Sequence, residues 1–251
     1  MAIKQRFGLT TFSLKILGLI LMVIDHFHEF FASFGVPAWV DWFGRPVPII
    51  FFFVSVEGFT HTRNKRLYLT RLLIGFWLMN LGNTIVQHFF QLRGQAITNN
   101  IFADLFLGVL TMLGIYFFEQ KRPLLGISVL LAPLLTTAIA ALLILMKAGI
   151  VAQIFLGVVP TILFAEYFVL FYLAGILYVF RNKRTIQLIA IAIVAFLYLL
   201  LGMSQWIMVF AIIPIYLYNG LKGGSLKYFF YVFYPLHIWA LYIIASLMAQ
   251  H

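Results

Sequence analysis

Apolar runs long enough to cross a lipid bilayer alternate along this chain with short polar or basic stretches. At roughly 20 residues for each crossing, this pattern predicts about nine membrane-spanning helices. Their predicted ranges are 12–34, 45–61, 67–90, 101–118, 123–146, 161–180, 186–203, 205–219 and 228–249. Residues 148–160 are also apolar but end at Pro160, so we expect a short interfacial or re-entrant piece there. The predicted fold class is all-α, a polytopic integral membrane protein.

The composition supports a lipid environment and a single domain. The chain has 251 residues, of which 64% are hydrophobic and 10% charged, more apolar surface than one water-soluble core could hide. No polar stretch is long enough for a soluble domain, so one membrane domain is expected over residues 1–251. The first 35 residues lack a small-residue cleavage site, and we expect a retained helix there. The absence of cysteine excludes disulfides, thiolate nucleophiles and cysteine metal sites.

The net charge of +10 is distributed as the positive-inside rule requires of a membrane protein. With the N-terminus in the cytoplasm, the predicted spans place fourteen of the 17 basic residues inside, namely Lys4, Arg6, Lys15, Arg63, Lys65, Arg66, Arg71, Lys121, Arg122, Arg181, Lys183, Arg184, Lys222 and Lys227. Only Arg45, Arg93 and Lys147 fall outside. The asymmetry predicts a cytoplasmic N-terminus, and the absence of one basic face argues against a nucleic-acid partner.

The first predicted span contains a cluster of ionisable residues within the sequence LMVIDHFHEFF, residues 21–31. A carboxylate at the bilayer centre costs about 3 kcal/mol on insertion scales, so such groups usually face protein or a wet cavity. On a helix Asp25, His28 and Glu29 share one face, whereas His26 points about 100° away from Asp25. The acids could pair with Arg45 and lock the helices together, or the cluster could line a functional site.

A second cluster lies in FFFVSVEGFTHTRNKRLYLTRL, residues 51–72. Glu57 lies within the apolar run about one turn from its inner end, beside Gly58. The polar residues that follow are His61, Arg63, Asn64, Lys65, Arg66 and Arg71. An ordinary positive-inside loop has this composition, but arginines also suit bidentate binding of a phosphate-bearing donor. Neither topology nor lipid requires Glu57, so its presence favours a function.

Two further patterns place polar groups in the membrane. In YFFYVFYPLHIW, residues 228–239, Pro235 interrupts the backbone hydrogen bonding of a span that also carries His237. That histidine could be a packing residue or could line a cavity. The third span has a polar stripe at helical spacing, formed by Asn80, Asn83, Thr84, Gln87 and His88. This stripe could line the same cavity or join helices by hydrogen bonds. Asp104 and Glu166 are isolated acids in later spans.

The first cluster also contains residue types that bind metal ions. The side chains of the first cluster are all possible ligands, but no H-E-x-x-H pattern is present. The sequence therefore predicts no metal.

These motifs resemble those of the TraX family, which is named for the pilin acetylase of conjugation systems. The resemblance rests on "DH" in the first span, "GR" before the second, "VEGFTHTRNKRLYLTRL" and the final "FYPLH". It is strongest over residues 14–72 and returns at 227–243. A looser similarity exists to membrane acyltransferases that modify surface glycans.

The resemblance implies a multi-pass acetyltransferase of the bacterial inner membrane. It would move an acetyl group from cytoplasmic acetyl-CoA to an amine, such as a pilin or peptide N-terminus, or to a hydroxyl of a glycan. It further implies His26 as general base with Asp25 beside it, and Glu57 and His237 along the path. The donor would be held by His61, Arg63, Asn64, Lys65, Arg66 and Arg71, and the acceptor by Arg45, Glu29 and Tyr234.

Two other classes of protein remain open at this point. A proton-coupled transporter would use the intramembrane acids and histidines as a relay, although no inverted repeat is visible. A non-catalytic scaffold or lipid-binding assembly factor would explain the hydropathy but not so many buried ionisable groups.

Overall fold

The computed structural model describes residues 8–92, 94–165 and 167–250 as a bundle of helices. Ten α-helices run as α1 Thr11–Phe31, α2 Val47–His61, α3 Lys65–Phe89, α4 Ile101–Glu119, α5 Pro123–Leu145, α6 Ile150–Val158, α7 Tyr172–Val179, α8 Arg184–Leu200, α9 Ile212–Leu217 and α10 Lys227–Met248. Short 3₁₀ helices cover Ala32–Phe34, Ala38–Phe43, Ile162–Phe164, Phe168–Phe171 and Ser204–Ala211. Within these residues pairing of the β type is limited to two isolated bridges, so the all-α class is confirmed. Lys4, Arg6, Arg93 and Glu166 lie outside the described residues.

Six helical segments of this part of the chain are long and apolar enough to cross a membrane. They are Thr11–Phe34, Ala38–His61, Lys65–Phe89, Ile101–Glu119, Pro123–Leu145 and Tyr228–Met248. The apolar helices Arg184–Leu200 and Ser204–Leu217 are shorter. The multi-pass architecture is therefore present, whereas the total of nine crossings stays a prediction.

The region between α5 and α8 departs from regular helix because side chains capture its backbone amides. The amide of Ile162 donates to the Thr137 hydroxyl over 2.9 Å, and that of Tyr167 donates to Asp104 Oδ1 over 3.2 Å. The predicted span 161–180 is accordingly divided into two 3₁₀ helices and the eight-residue α7. The preceding α6 has nine residues, which at about 1.5 Å each cannot cross a bilayer alone.

The second span forms the centre of the bundle. In the apolar 18-residue stretch of Ala38–His61, 61% of the residues are buried inside the bundle, whereas the corresponding figure for Pro123–Leu145 is 11%. Phe52, Phe53 and Phe59 of α2 are fully buried, so this helix is enclosed by protein rather than by lipid. Its position explains why Glu57, near its end, meets side chains of other helices.

Helices α4 and α5 approach closely through glycines. A Cβ at Gly126 would lie 2.6 Å from the Phe118 ring and 3.0 Å from the carbonyl oxygen of Gly114. Small residues of this kind let membrane helices pack backbone against backbone.

We expect Gly126→Ala to destabilise the bundle by about 1–3 kcal/mol, because the added methyl group overpacks this contact. Thermal unfolding in detergent should shift to lower temperature. Gly157→Ala is the matched control, since a Cβ at that position meets nothing within 4 Å. Equal melting temperatures for both variants would contradict the close packing of α4 and α5.

Candidate active site

Two histidines from opposite ends of the sequence meet inside the bundle. His26 of α1 and His237 of α10 are joined by a hydrogen bond of 2.8 Å between Nδ1 and Nε2, and their rings stack with centroids 5.0 Å apart. Only 2% of the His26 surface is exposed. The contact exists because α1 packs along α10, although 211 residues separate the pair.

The hydrogen bonds of this pair determine which nitrogens carry protons. His237 Nδ1 lies 2.9 Å from the carbonyl oxygen of Phe233, which can only accept, so Nδ1 is the donor. With the rings neutral, His237 Nε2 then accepts from His26 Nδ1. The remaining nitrogen, His26 Nε2, keeps its lone pair, as a general base requires.

A cavity of about 610 Å³ leads toward the histidines. On α1 it is lined by Lys15, Leu19 and Met22, which lie at helical spacing on one face, and His26 is the next residue of that face. On α10 the lining includes Phe230 and Tyr234, and the same spacing continues to His237. The cavity therefore extends to within one helical turn of both histidines.

The other end of the cavity is its mouth, which three basic side chains share. They are Lys15 of α1, Arg71 of α3 and Lys222 of the glycine-rich segment 218–226, YNGLKGGSL. Lys15 and Lys222 were not among the predicted donor residues. The pairing of glycines with lysine in GLKGGS was the sequence signal that could have identified this segment.

Glu57 lines the same cavity and is held by two neighbours. Its Oε2 accepts a hydrogen bond of 3.2 Å from the Tyr218 hydroxyl, and its Oε1 lies 3.8 Å from Nη2 of Arg184. The carboxylate is thus held in position beside the segment 218–226.

An acidic group occupies the opposite end of the bundle from the mouth. Arg45 forms an ion pair with Asp41, one turn away, rather than with either acid of α1. The Asp25 carboxyl packs against Gly44, where any side chain would collide with it. Glu29 Oε2 accepts a hydrogen bond of 2.9 Å from Asn99 Nδ2. Asp25 therefore faces the loop before α2, and the hydrogen-bond partner of His26 is His237.

Comparison with known proteins identifies the family. The model of the TraX protein family matches residues 11–245. The chain belongs to the TraX family. It is also similar to the "probable fimbrial assembly protein FimC, serogroup H1" of Dichelobacter nodosus, with 28% identity over 94% of this chain and 95% of the relative. No solved structure matches the chain significantly.

The predicted donor residues of this TraX-family chain separate into two groups. His61 and Arg71 line the cavity, whereas Arg63, Asn64, Lys65 and Arg66 do not. Asn64 caps α3 by accepting from the amide of Leu67 over 2.9 Å. The Lys65 ammonium donates to the carbonyl of Phe59 and lies over that residue's ring.

The polar stripe of α3 does not line the cavity, and three of its five residues join α3 to other parts of the fold. Asn80 Oδ1 accepts from Asn100 Nδ2 over 2.7 Å, and Asn83 Oδ1 accepts from Trp239 Nε1 over 2.9 Å. Gln87 Oε1 accepts from the amide of Ile97. These bonds attach the segment before α4 and the last helix to α3.

Among the described residues, no three histidine, aspartate or glutamate side chains are grouped so that they could hold a metal ion. The candidate site consists of the histidine pair, the cavity with its basic mouth, and the acidic residues at the opposite end of the bundle.

We expect both histidines to be protonated at Nδ1. Solid-state NMR of protein labelled with ¹⁵N-histidine should show a coupling between His26 Nδ1 and His237 Nε2. The chain has six histidines, and His26→Ala and His237→Ala variants would assign the two resonances. Protonation of His26 at Nε2 would contradict this arrangement.

Proposed function

We propose that this TraX-family protein is a membrane-embedded acyltransferase that moves an acetyl group from acetyl-CoA to an amine. The observation that carries the proposal is the cavity that runs from a basic mouth to within one helical turn of a buried histidine pair. A transferase that takes a charged donor from water and reacts it inside the membrane needs both features. The resemblance to pilin acetylases adds the acetyl group, and the name of the FimC relative favours a fimbrial or pilin protein as acceptor.

The donor would lie with its thioester at the deep end of the cavity. Tyr234 lines this end, and its ring centroid lies 6.1 Å from that of His26. An apolar channel excludes water from the thioester, which would otherwise be hydrolysed.

In the proposed reaction His26 acts as general base. The acceptor amine attacks the carbonyl carbon of the thioester while His26 Nε2 takes a proton from the nitrogen. The carbon–sulfur bond then breaks, the new amide bond remains, and the proton passes from His26 to the departing thiolate. His237 holds the imidazole of His26 in the required tautomer throughout, so we assign it a positioning role.

The acceptor would enter from the acidic end of the bundle. Asp41 is neutralised by Arg45, whereas Asp25 and Glu29 have no such ion pair among the described residues. A carboxylate at this end can take one proton from an arriving ammonium group, so that the acceptor attacks as the neutral amine, whereas the hydroxyl of a glycan carries no such proton. Glu29 is therefore the acceptor-binding residue we propose, and Arg45, held by Asp41, borders the same end of the bundle.

This direction of transfer requires the basic mouth to face the cytoplasm. Because the chain has no cysteine, single substitutions can test the orientation without background. We expect Lys147→Cys to react with a membrane-impermeant maleimide in intact cells, and Lys183→Cys to react only after permeabilisation. The reverse labelling pattern would contradict the orientation and the cytoplasmic donor.

We expect His26→Ala to lower the rate of acetyl transfer by about 100-fold or more, as loss of a general base does. The assay uses purified protein in nanodiscs with labelled acetyl-CoA and a pilin N-terminal peptide, compared with the same peptide blocked at its amine. His28→Ala, two residues along the same helix, is the matched control and should keep full activity.

An unchanged rate in His26→Ala would refute the base assignment. Absence of transfer and of CoA release in the wild-type protein would refute the acyltransferase. Proton uptake coupled to solute movement in proteoliposomes would then favour the transporter.

A further inference from the structure

The three cations at the cavity mouth come from separate parts of the sequence. Lys15 lies one turn into α1, Arg71 lies in the second turn of α3, and Lys222 lies in the segment 218–226. Arg63, in the loop between α2 and α3, and Arg66, in the first turn of α3, belong to the same end of the bundle, but both are exposed and outside the cavity lining. The fold therefore selects three of many basic residues for one opening.

The segment 218–226 is a built part of the mouth. The amides of Thr11 and Phe12 at the start of α1 donate to the carbonyls of Leu221 and Lys222 over 2.9 and 3.1 Å. Gly223 has a φ of +69°, and a Cβ there would lie 2.8 Å from Cβ of Thr10. Only glycine fits such a conformation at this distance, so the backbone around Lys222 has a defined position before any ligand binds.

The charge of the lining is positive. Glu57 is the one carboxylate among the described lining residues, against the three cations of the mouth. Its two oxygens already face the Tyr218 hydroxyl and the Arg184 guanidinium. The Ser225 hydroxyl also lines the opening and supplies a donor of the kind that phosphate oxygens accept.

We propose that Lys15, Arg71 and Lys222 form a phosphate-binding site that anchors the nucleotide end of the donor. This inference rests on the proposed function, because it specifies how the same cavity holds acetyl-CoA. Lys15 and His26 are 11 residues apart on one helix face, which corresponds to about 16 Å of helix. The extended pantetheine arm of CoA has a comparable length, so phosphates held at the mouth would place the thioester beside His26.

The headgroup of an anionic phospholipid has the same phosphate chemistry and could reach this end of the bundle. Binding should therefore be measured in nanodiscs of phosphatidylcholine and again with phosphatidylglycerol added. The ligand is free CoA, titrated calorimetrically, which carries no acetyl group and so gives no signal from transfer. Pantetheine, which lacks phosphate, serves as the comparison ligand.

We expect Lys15→Ala, Arg71→Ala and Lys222→Ala each to weaken CoA binding about tenfold, since each removes a charge-assisted contact. Arg63→Ala and Arg66→Ala are the matched controls and should change the dissociation constant less than twofold. Pantetheine binding should not respond to Lys222→Ala, and Lys222→Arg should restore CoA binding. Raising the salt concentration should weaken CoA binding in the wild-type mouth more than in Lys222→Ala.

Three results would overturn the site. CoA affinity that falls equally in the Arg63 and Arg66 variants would mean a diffuse surface charge. CoA affinity in phosphatidylcholine that ignores all three mouth variants would remove the site altogether. The site would belong to lipid if phosphatidylglycerol displaced CoA and the mouth variants changed that displacement without changing CoA affinity in phosphatidylcholine.

The binding data also separate this proposal from the proposed function. Mouth variants that lose CoA binding in a protein without transferase activity would support the site and refute the acyltransferase. Acetyl transfer that continues with an unchanged KM for acetyl-CoA in all three mouth variants would support the acyltransferase and refute the phosphate site. A melting temperature within the range of the Arg63→Ala control ensures that lost binding does not report unfolding.

Discussion

The hydrogen bond between His26 and His237 is the contact on which the functional arrangement of this protein depends. An imidazole without a partner is costly in a membrane interior, so the two rings strongly favour packing of the first helix against the last. That packing encloses the cavity between α1, α2 and α10. It also fixes the hydrogen bonds from His26 to His237 and from His237 to the Phe233 carbonyl, so that His26 Nε2 keeps its lone pair in a buried environment.

Every other polar side chain in the spans also needs a partner, and the partner indicates whether the residue joins helices or lines the cavity. Amides of α3 find partners on the segment before α4 and on Trp239, and so they join helices. Arg45 forms an ion pair with Asp41, four residues earlier in the chain. Glu57, Lys15, Arg71 and Lys222 instead line the cavity, where charge can be kept without burial in lipid. A polar residue in a span is thus ambiguous until its partner is known.

Much of the architecture could be predicted because hydropathy is a local property. The all-helical class and the first five long helices follow from runs of apolar residues, as does α10. The interval between α5 and α8 could not be read this way, since Thr137 and Asp104, distant in sequence, capture its backbone amides. Likewise, the basic residues around α3 look equivalent in sequence, yet Asn64 and Lys65 serve the helix end while Arg71 reaches the cavity.

The sequence by itself determined the solvent, the family resemblance and the residue types available for chemistry, because length, composition and motif order are written along the chain. It also indicated that His26 and Asp25 point apart, since helix periodicity alone requires this. Only the tertiary structure decided that His26 meets His237, that Asp25 faces Gly44, and that Lys15 and Lys222 share one opening with Arg71. These relations join positions up to 211 residues apart, and they follow from helix packing, which no local pattern encodes.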